Sequence, residues 1–213
     1  MRYLQLGSIL HLIVLLGCSS RSEHLVHDFV ARNADGTVNV VVEIPAGTTA
    51  KFEVDKTTGR LEWEIGADGE ERIIDFLPYP ANYGLVPATL LSTADGGDGD
   101  PLDVVVLGGA LDRGSIVRVR IIAALRLLDR GEVDDKLIAV SADEGSGNPL
   151  AILKDLGGLR ANYPNIVEIL ELWFAGYKGP GVIELGEWLS ASDANALLLR
   201  AEKAYDDSAQ RGL

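Results

Sequence analysis

The sequence predicts a mainly β protein with helices at its C-terminal end (α+β), a small closed β-barrel with two packed helices. Three observations carry that prediction. Short β-branched or alternating runs recur between turn signals from residue 38 to residue 140. Helical periodicity begins only after residue 160. A chain of 213 residues with 47% apolar content suffices for one domain with a sizeable core, with little left over for a second.

The elements follow in order. Val38–Ile44 is β-branched and roughly alternating, and Pro45-Ala46-Gly47 stops it. Lys51-Phe52-Glu53-Val54-Asp55 alternates polar and apolar, Thr58-Gly59-Arg60 reads as a turn, and Leu61-Glu62-Trp63-Glu64-Ile65 alternates back. Asp68-Gly69 is a second hairpin signal. Val104–Leu107, Ile116–Leu128 and Leu137–Val140 supply further strands. Frequent turns between short strands favour a barrel over a parallel sheet. Ile166, Ile169, Leu170 and Trp173 recur at i, i+3, i+4 and i+7, the spacing of one helix face. Ser192-Asp193 is a cap signal for a second helix through about Tyr205.

Composition excludes several kinds of chemistry. Thirty-two acids against nineteen bases give a formal charge of −13. A field of that sign repels nucleic acid and anionic lipid, and it repels a phosphate substrate unless cations accompany it. The three histidines, His11, His24 and His27, all precede residue 28. The body therefore has no imidazole for a Ser-His-Asp or Cys-His arrangement or for a zinc site. Cys18 is the single cysteine, so no intramolecular disulfide or Cys-x-x-Cys pair can form. Catalysis in the body must use carboxylates, Lys/Arg, Tyr, or metals that accept oxygen ligands.

The first residues read as an address. Met1-Arg2 is followed by a mostly apolar run from Tyr3 to Gly17, too short for a membrane span of about 20 residues and suited to a secretory signal. Leu15-Leu16-Gly17-Cys18 resembles a bacterial lipobox. That resemblance implies a signal peptide over 1–17, lipidation of Cys18, a polar tether over 18–28, a domain over 29–213, and a membrane-anchored lipoprotein outside the cytoplasm. The alternatives are an ordinary signal peptide, or a cytoplasmic enzyme whose true start lies downstream. Stable anchoring takes two acyl chains, and such a tether reaches about 30 Å at roughly 3.3 Å per residue.

Asp95-Gly96-Gly97-Asp98-Gly99-Asp100-Pro101-Leu102-Asp103 leads directly into Val104–Leu107. Two carboxylates about 5 Å apart repel by roughly 3 kcal/mol at an effective dielectric near 20. Such a cluster stays ionised only with cations between its members. In a regular strand Asp98 and Asp100 point away from Asp103; Pro101 and the glycines supply a bend that lets all three face one site. A solvated Asp/Gly loop is the bland alternative, and a calcium loop of the EF-hand kind lacks its ligand ladder and closing glutamate.

Asp98-Gly99-Asp100-Pro101-Leu102-Asp103 resembles the signature of family I soluble inorganic pyrophosphatases. The resemblance runs in order through Val41-Val42-Glu43-Ile44-Pro45, Lys51-Phe52-Glu53, Tyr79-Pro80-Ala81-Asn82-Tyr83-Gly84, the signature itself, Asp129, Asp134-Asp135-Lys136-Leu137 and Tyr177-Lys178. It implies an OB-like five-stranded barrel and hydrolysis of inorganic diphosphate with three or four Mg²⁺ per site, some arriving with the substrate. It assigns Asp98, Asp103 and Asp134 to the first two ions, with Asp103 bridging them. Asp129 and Glu53, with Asp134 nearby, would hold the ions that arrive with substrate. Asp100 would be the general base; Lys51, Arg72, Tyr83, Lys136, Tyr177 and Lys178 would contact phosphate; Glu43 would assist from behind the ligands and Tyr79 would line the site. Arg72 stands one residue closer to the first tyrosine than the family's substrate arginine, after a hairpin that differs. Relatives of this kind are commonly hexamers or dimers, which implies a homo-oligomer. Two rivals are a barrel that binds polyphosphate or divalent metal without hydrolysis, and a metal phosphohydrolase acting on organic phosphates. Taken alone, the i, i+2 pairs Lys51/Glu53 and Asp134/Lys136 read as surface ion pairs worth under about 1 kcal/mol.

Overall fold

The structure is a computed structural model and describes residues 23–211. The expected signal peptide and Cys18 lie outside the described residues. The strands are β1 (Val38–Ile44), β2 (Phe52–Val54), β3 (Leu61–Trp63), β4 (Asn82–Leu85), β5 (Asp103–Leu107), β6 (Ile116–Asp129), β7 (Glu132–Val133), β8 (Lys136–Ser141) and β9 (Ile183–Ser190). The helices are α1 (Leu156–Asn162), α2 (Pro164–Gly176) and α3 (Ala191–Arg211).

Five strands close into a ring. β1 pairs with β4, β4 with β5, β5 with β8, β8 with β6, and β6 returns to β1. All these pairs are antiparallel except β5–β8, which is parallel. The expected five-stranded OB-like barrel is therefore what forms. The 14-residue β6 makes closure possible. Its first half lies along β1, its middle along β8, and its far half along β9 and β7. Register shifts between Ile121 and Ala123 and between Leu125 and Leu127 bend it around the barrel, as bulges do. At Gly84 any Cβ would lie 1.9 Å from the Val41 carbonyl oxygen. Only glycine lets β4 cross β1 that closely.

Alternation along the strands sorts the core. Val105 and Leu107 of β5 join Ile138, Ile122 and Leu125 against α2. Val104 and Val106 turn the other way, with Val38, Val40 and Leu137 against Ala194, Leu197, Leu198 and Ala201 of α3. Each such fully buried Val, Leu or Ile side chain contributes about 1.5–3 kcal/mol of apolar transfer energy.

The helices differ from the sequence expectation in three details. α2 buries Val167, Leu170, Trp173 and Phe174, and it leaves Ile169 half exposed. α3 is capped earlier than expected: Asp193 N–H donates to Ser190 Oγ (3.2 Å) and Ser190 Oγ–H to the Asp193 carboxylate (2.7 Å), a reciprocal cap. α1 was not legible because Gly157-Gly158 opens it; Asp155 secures it by accepting the Gly158 N–H (2.7 Å). Residues 24–28, counted with the tether above, lie against the body. Leu25 N–H donates to the Gly59 carbonyl, Ala88 N–H to the Val26 carbonyl, and Val26 is buried among Val41, Val54 and Leu85.

Candidate active site

The site is built where β4, β5 and β8 run side by side. Leu85 faces Asp103 across β4–β5, which sets Tyr83 diagonally from Asp103 on the same face. Asp103 faces Lys136 across the parallel β5–β8 pair. The Tyr83 hydroxyl donates to Asp103 Oδ2 at 2.5 Å, and the Lys136 ammonium bridges Asp103 and Asp134. Lys136 is 1% exposed. An ammonium so buried persists only with counter-ions. Burial depresses its pKa, but Asp103 and Asp134 outweigh that and raise it. Asp134 is itself pushed upward, burial exceeding the opposing effect of Lys136.

The signature loop folds as its composition requires. Gly99 takes φ +83°, a conformation that L side chains rarely adopt. The Asp98 carboxylate accepts the Asp100 N–H at 2.9 Å, while Gly99 N–H and the Asp100 carbonyl both bond to Leu91. Burial, with the charges of Asp100 and Asp103, raises the Asp98 pKa. Asp100 stands at the rim, where Lys56 of the β2–β3 turn meets it.

A second wall is aromatic. Trp173 stacks on Tyr177 at 4.5 Å between ring centroids, Tyr79 packs on Trp173 at 4.4 Å, and Tyr83 lies 5.3 Å from Tyr79. Burial foremost raises the pKa of all three tyrosines, so their hydroxyls remain donors at neutral pH. Lys178, just past α2, pairs with Asp129 Oδ2 at 2.6 Å. Glu43 is buried, accepts the Val54 N–H at 2.8 Å, and is pushed by burial to about 8.

The third wall is the β2–β3 hairpin and its extension through residue 72. Lys51 reaches Glu64 at 2.8 Å, and Arg72 reaches the same carboxylate at 2.6 Å. Glu53 is exposed and lies 3.4 Å from Lys51. Burial works against the Arg72 charge, and the Glu64 carboxylate outweighs it and raises its pKa.

The structure therefore gathers Tyr83, Asp103, Asp134 and Lys136 at the barrel, sets Lys178 on Asp129, and joins Lys51 to Arg72. It leaves Asp100 at the rim and Glu53 exposed. Glu64 and Lys56 were missed by sequence reasoning. Lys56 acts on a group 44 residues away and Glu64 on partners beyond the reach of any strand or helix period, so no spacing signal marks them. Asp134/Lys136 is a buried pair, and the principal carboxylate of Lys51 is Glu64 rather than the neighbouring Glu53.

The donor set suits a hard divalent cation. Asp98, Asp103, Asp129, Asp134 and Glu53 offer oxygen ligands, the preference of Mg²⁺. Asp129 Oδ1 is buried without a hydrogen-bond partner among the described residues, and Asp103 and Asp134 converge on one shared positive charge. Among the described residues no three His, Cys, Asp or Glu side chains are gathered as a ready metal cluster. The lysines stand between the carboxylates instead.

Comparison with known proteins bears on this arrangement. Residues 40–206 match the model of the family described as inorganic pyrophosphatase. A soluble inorganic pyrophosphatase of Oryza sativa subsp. indica is 34% identical over 176 residues, spanning 80% of this chain and 74% of the relative. The crystal structure of type I inorganic pyrophosphatase from Toxoplasma gondii superposes with a TM-score of 0.77 at 30% identity, covering 85% of this chain and 86% of the other. An inorganic pyrophosphatase from Helicobacter pylori gives 0.70 at 31% identity over 84% of this chain and 98% of that one. Barrel topology, acidic site and matched span agree, and the chain belongs to the inorganic pyrophosphatase family.

Proposed function

We propose that this protein hydrolyses inorganic pyrophosphate to two orthophosphates in a Mg²⁺-dependent reaction. The convergence of Tyr83, Asp103, Asp134 and Lys136 from neighbouring barrel strands carries this reading, and membership of the family supports it. Asp98, Asp103, Asp134, Asp129 and Glu53 would hold the ions. Held there, Mg²⁺ would neutralise substrate charge and make the attacking water more acidic.

The residues of the chain do the rest. Lys51, Arg72, Lys136 and Lys178 attract and orient the phosphates, with Arg72 offering a planar fork and the lysines point charges. Tyr177, and Tyr83 once its hydroxyl leaves Asp103, hydrogen-bond to phosphate oxygens, and Tyr79 lines the wall. Asp100 accepts a proton from the attacking water as its oxygen bonds to one phosphorus and the bridging P–O bond breaks. Glu43, held by the Val54 N–H, backs the hairpin. Phosphate release from pyrophosphate, ATP and a phosphomonoester, each with and without Mg²⁺, tests the reading. Turnover restricted to pyrophosphate with Mg²⁺ is expected. Equal turnover of the phosphomonoester, or tight binding without any hydrolysis, would replace it with one of the two rival functions.

The reading extends to place and assembly. The apolar run before Cys18 supports export and lipidation of Cys18, so a Cys18→Ser variant should leave the membrane fraction. Exposed Ile169 and Leu172 on α2, beside exposed Phe76 and Leu77, support association between copies of this chain, which sedimentation would report.

A further inference from the structure

Three successive segments of one local excursion meet at residues 51, 64 and 72, and their backbones close a ring. Lys51 N–H donates to the Arg72 carbonyl (3.0 Å), Arg72 N–H to the Glu64 carbonyl (2.8 Å), and Glu64 N–H to the Lys51 carbonyl (2.9 Å). The Trp63 indole N–H adds a second donor to the Arg72 carbonyl at 3.0 Å. The ring fixes where three side chains start, and those side chains converge. Glu64 Oε2 lies 2.8 Å from the Lys51 ammonium, and Glu64 Oε1 lies 2.6 Å from Arg72 Nη1. Each carboxylate oxygen thus faces a different cation, Oε1 in a hydrogen bond with Arg72 and Oε2 in an ion pair with Lys51. Burial opposes its ionisation, yet Lys51 and Arg72 together hold its pKa below the usual value.

We propose that Glu64 is a positioning residue that locks Lys51 and Arg72 into one phosphate-binding unit of net charge +1. The inference rests on the pyrophosphate reading of the site and deepens it. Without the carboxylate, two neighbouring cations repel each other, and two long side chains regain rotamer freedom. The local charge also rises by one unit. Ground-state phosphates are then held more tightly while their alignment for P–O cleavage is lost. Tighter ground-state binding without matching transition-state binding lowers KM and kcat together. Loss of a simple binding cation does the reverse to KM. The backbone ring uses only peptide groups, so it survives a change of side chain.

Steady-state kinetics of the full chain on Mg-pyrophosphate test this, with melting temperature measured alongside. Glu64→Gln is expected to lower KM about fivefold and kcat about tenfold with the fold intact. Glu64→Asp keeps the charge on a shorter arm, and it should restore the wild-type KM with an intermediate kcat. Wild-type kinetics in Glu64→Gln would overturn the inference, as would a raised KM. So would kinetic defects of equal size in Glu64→Gln and Glu64→Asp that follow a lowered melting temperature, which mark a purely structural role. A wild-type protein that releases no phosphate from pyrophosphate removes the parent reading. A wild type that turns over normally beside an unchanged Glu64→Gln removes this inference alone.

Discussion

The two cationic halves of the site are held in different ways. Lys136 stands on a barrel strand, 1% exposed, wedged between Asp103 and Asp134. Lys51 and Arg72 stand on a hairpin, with side-chain exposures of 16% and 32%, joined through Glu64. Burial decides what each partner is worth. A buried ion that loses its partner cannot recruit water, so the penalty falls on the fold. An ion that keeps some contact with solvent can rehydrate, so its loss falls more on binding. The barrel half thus couples chemistry to stability, and the hairpin half keeps them apart.

The sharpest way to break that contrast is Lys136→Met. It leaves Asp103 and Asp134 facing each other without their shared cation, and it should cost about 3–5 kcal/mol of stability along with activity. Added Mg²⁺ should recover part of the melting temperature, because an ion that binds only the folded carboxylates stabilises them by mass action. Calorimetry with and without Mg²⁺ reads both effects, and an unchanged melting temperature would erase the distinction between the halves.

Asp100→Asn comes next. Asp100 is at the rim, half exposed, so kcat should fall about 10²–10⁴-fold while the melting temperature stays put. Unaltered turnover in this variant removes Asp100 as the base. Arg72→Ala should raise KM about tenfold with little effect on folding. A loss of stability comparable to that of Lys136→Met would show the hairpin to be as tightly coupled as the barrel.

The smallest effect concerns Glu43. Burial lifts its carboxyl to about 8 in the folded protein, well above the ordinary carboxylate value of about 4.3. Between those values the folded state binds more protons than the unfolded state, so stability falls as pH rises. Glu43→Gln retains an oxygen for the Val54 N–H and cannot ionise. Its melting temperature should exceed that of the wild type near pH 8, and the gap should close near pH 5. A gap that widens toward pH 5 would contradict the sign.

Much of this was legible in one dimension. The runs around Val38–Ile44, Val104–Leu107 and Leu137–Val140 became β1, β5 and β8, because alternation and β-branching are local properties that a strand's two faces express directly. Asp98–Asp103 announced an acidic turn because Gly99 and Pro101 sit beside the acids. β9 escaped notice because Glu184, Gly186 and Glu187 dilute its pattern, and its pairing with β6 supplies what propensity does not. Ile169 falls on the periodic apolar face of α2 yet is half exposed, because a helix's period shows that a face is apolar without saying which neighbour covers it. Residue order alone set the side-chain types at the site, the all-oxygen donor set, and the exclusion of imidazole and thiolate chemistry from the body. Tertiary structure decided that Lys136 is buried between two acids, that Lys56 meets Asp100, and that Glu64 holds Lys51 and Arg72. Chain spacing governs only what lies within a few residues. A charge takes its energy from whatever the fold brings within several ångströms, and that follows from how five strands close upon one another.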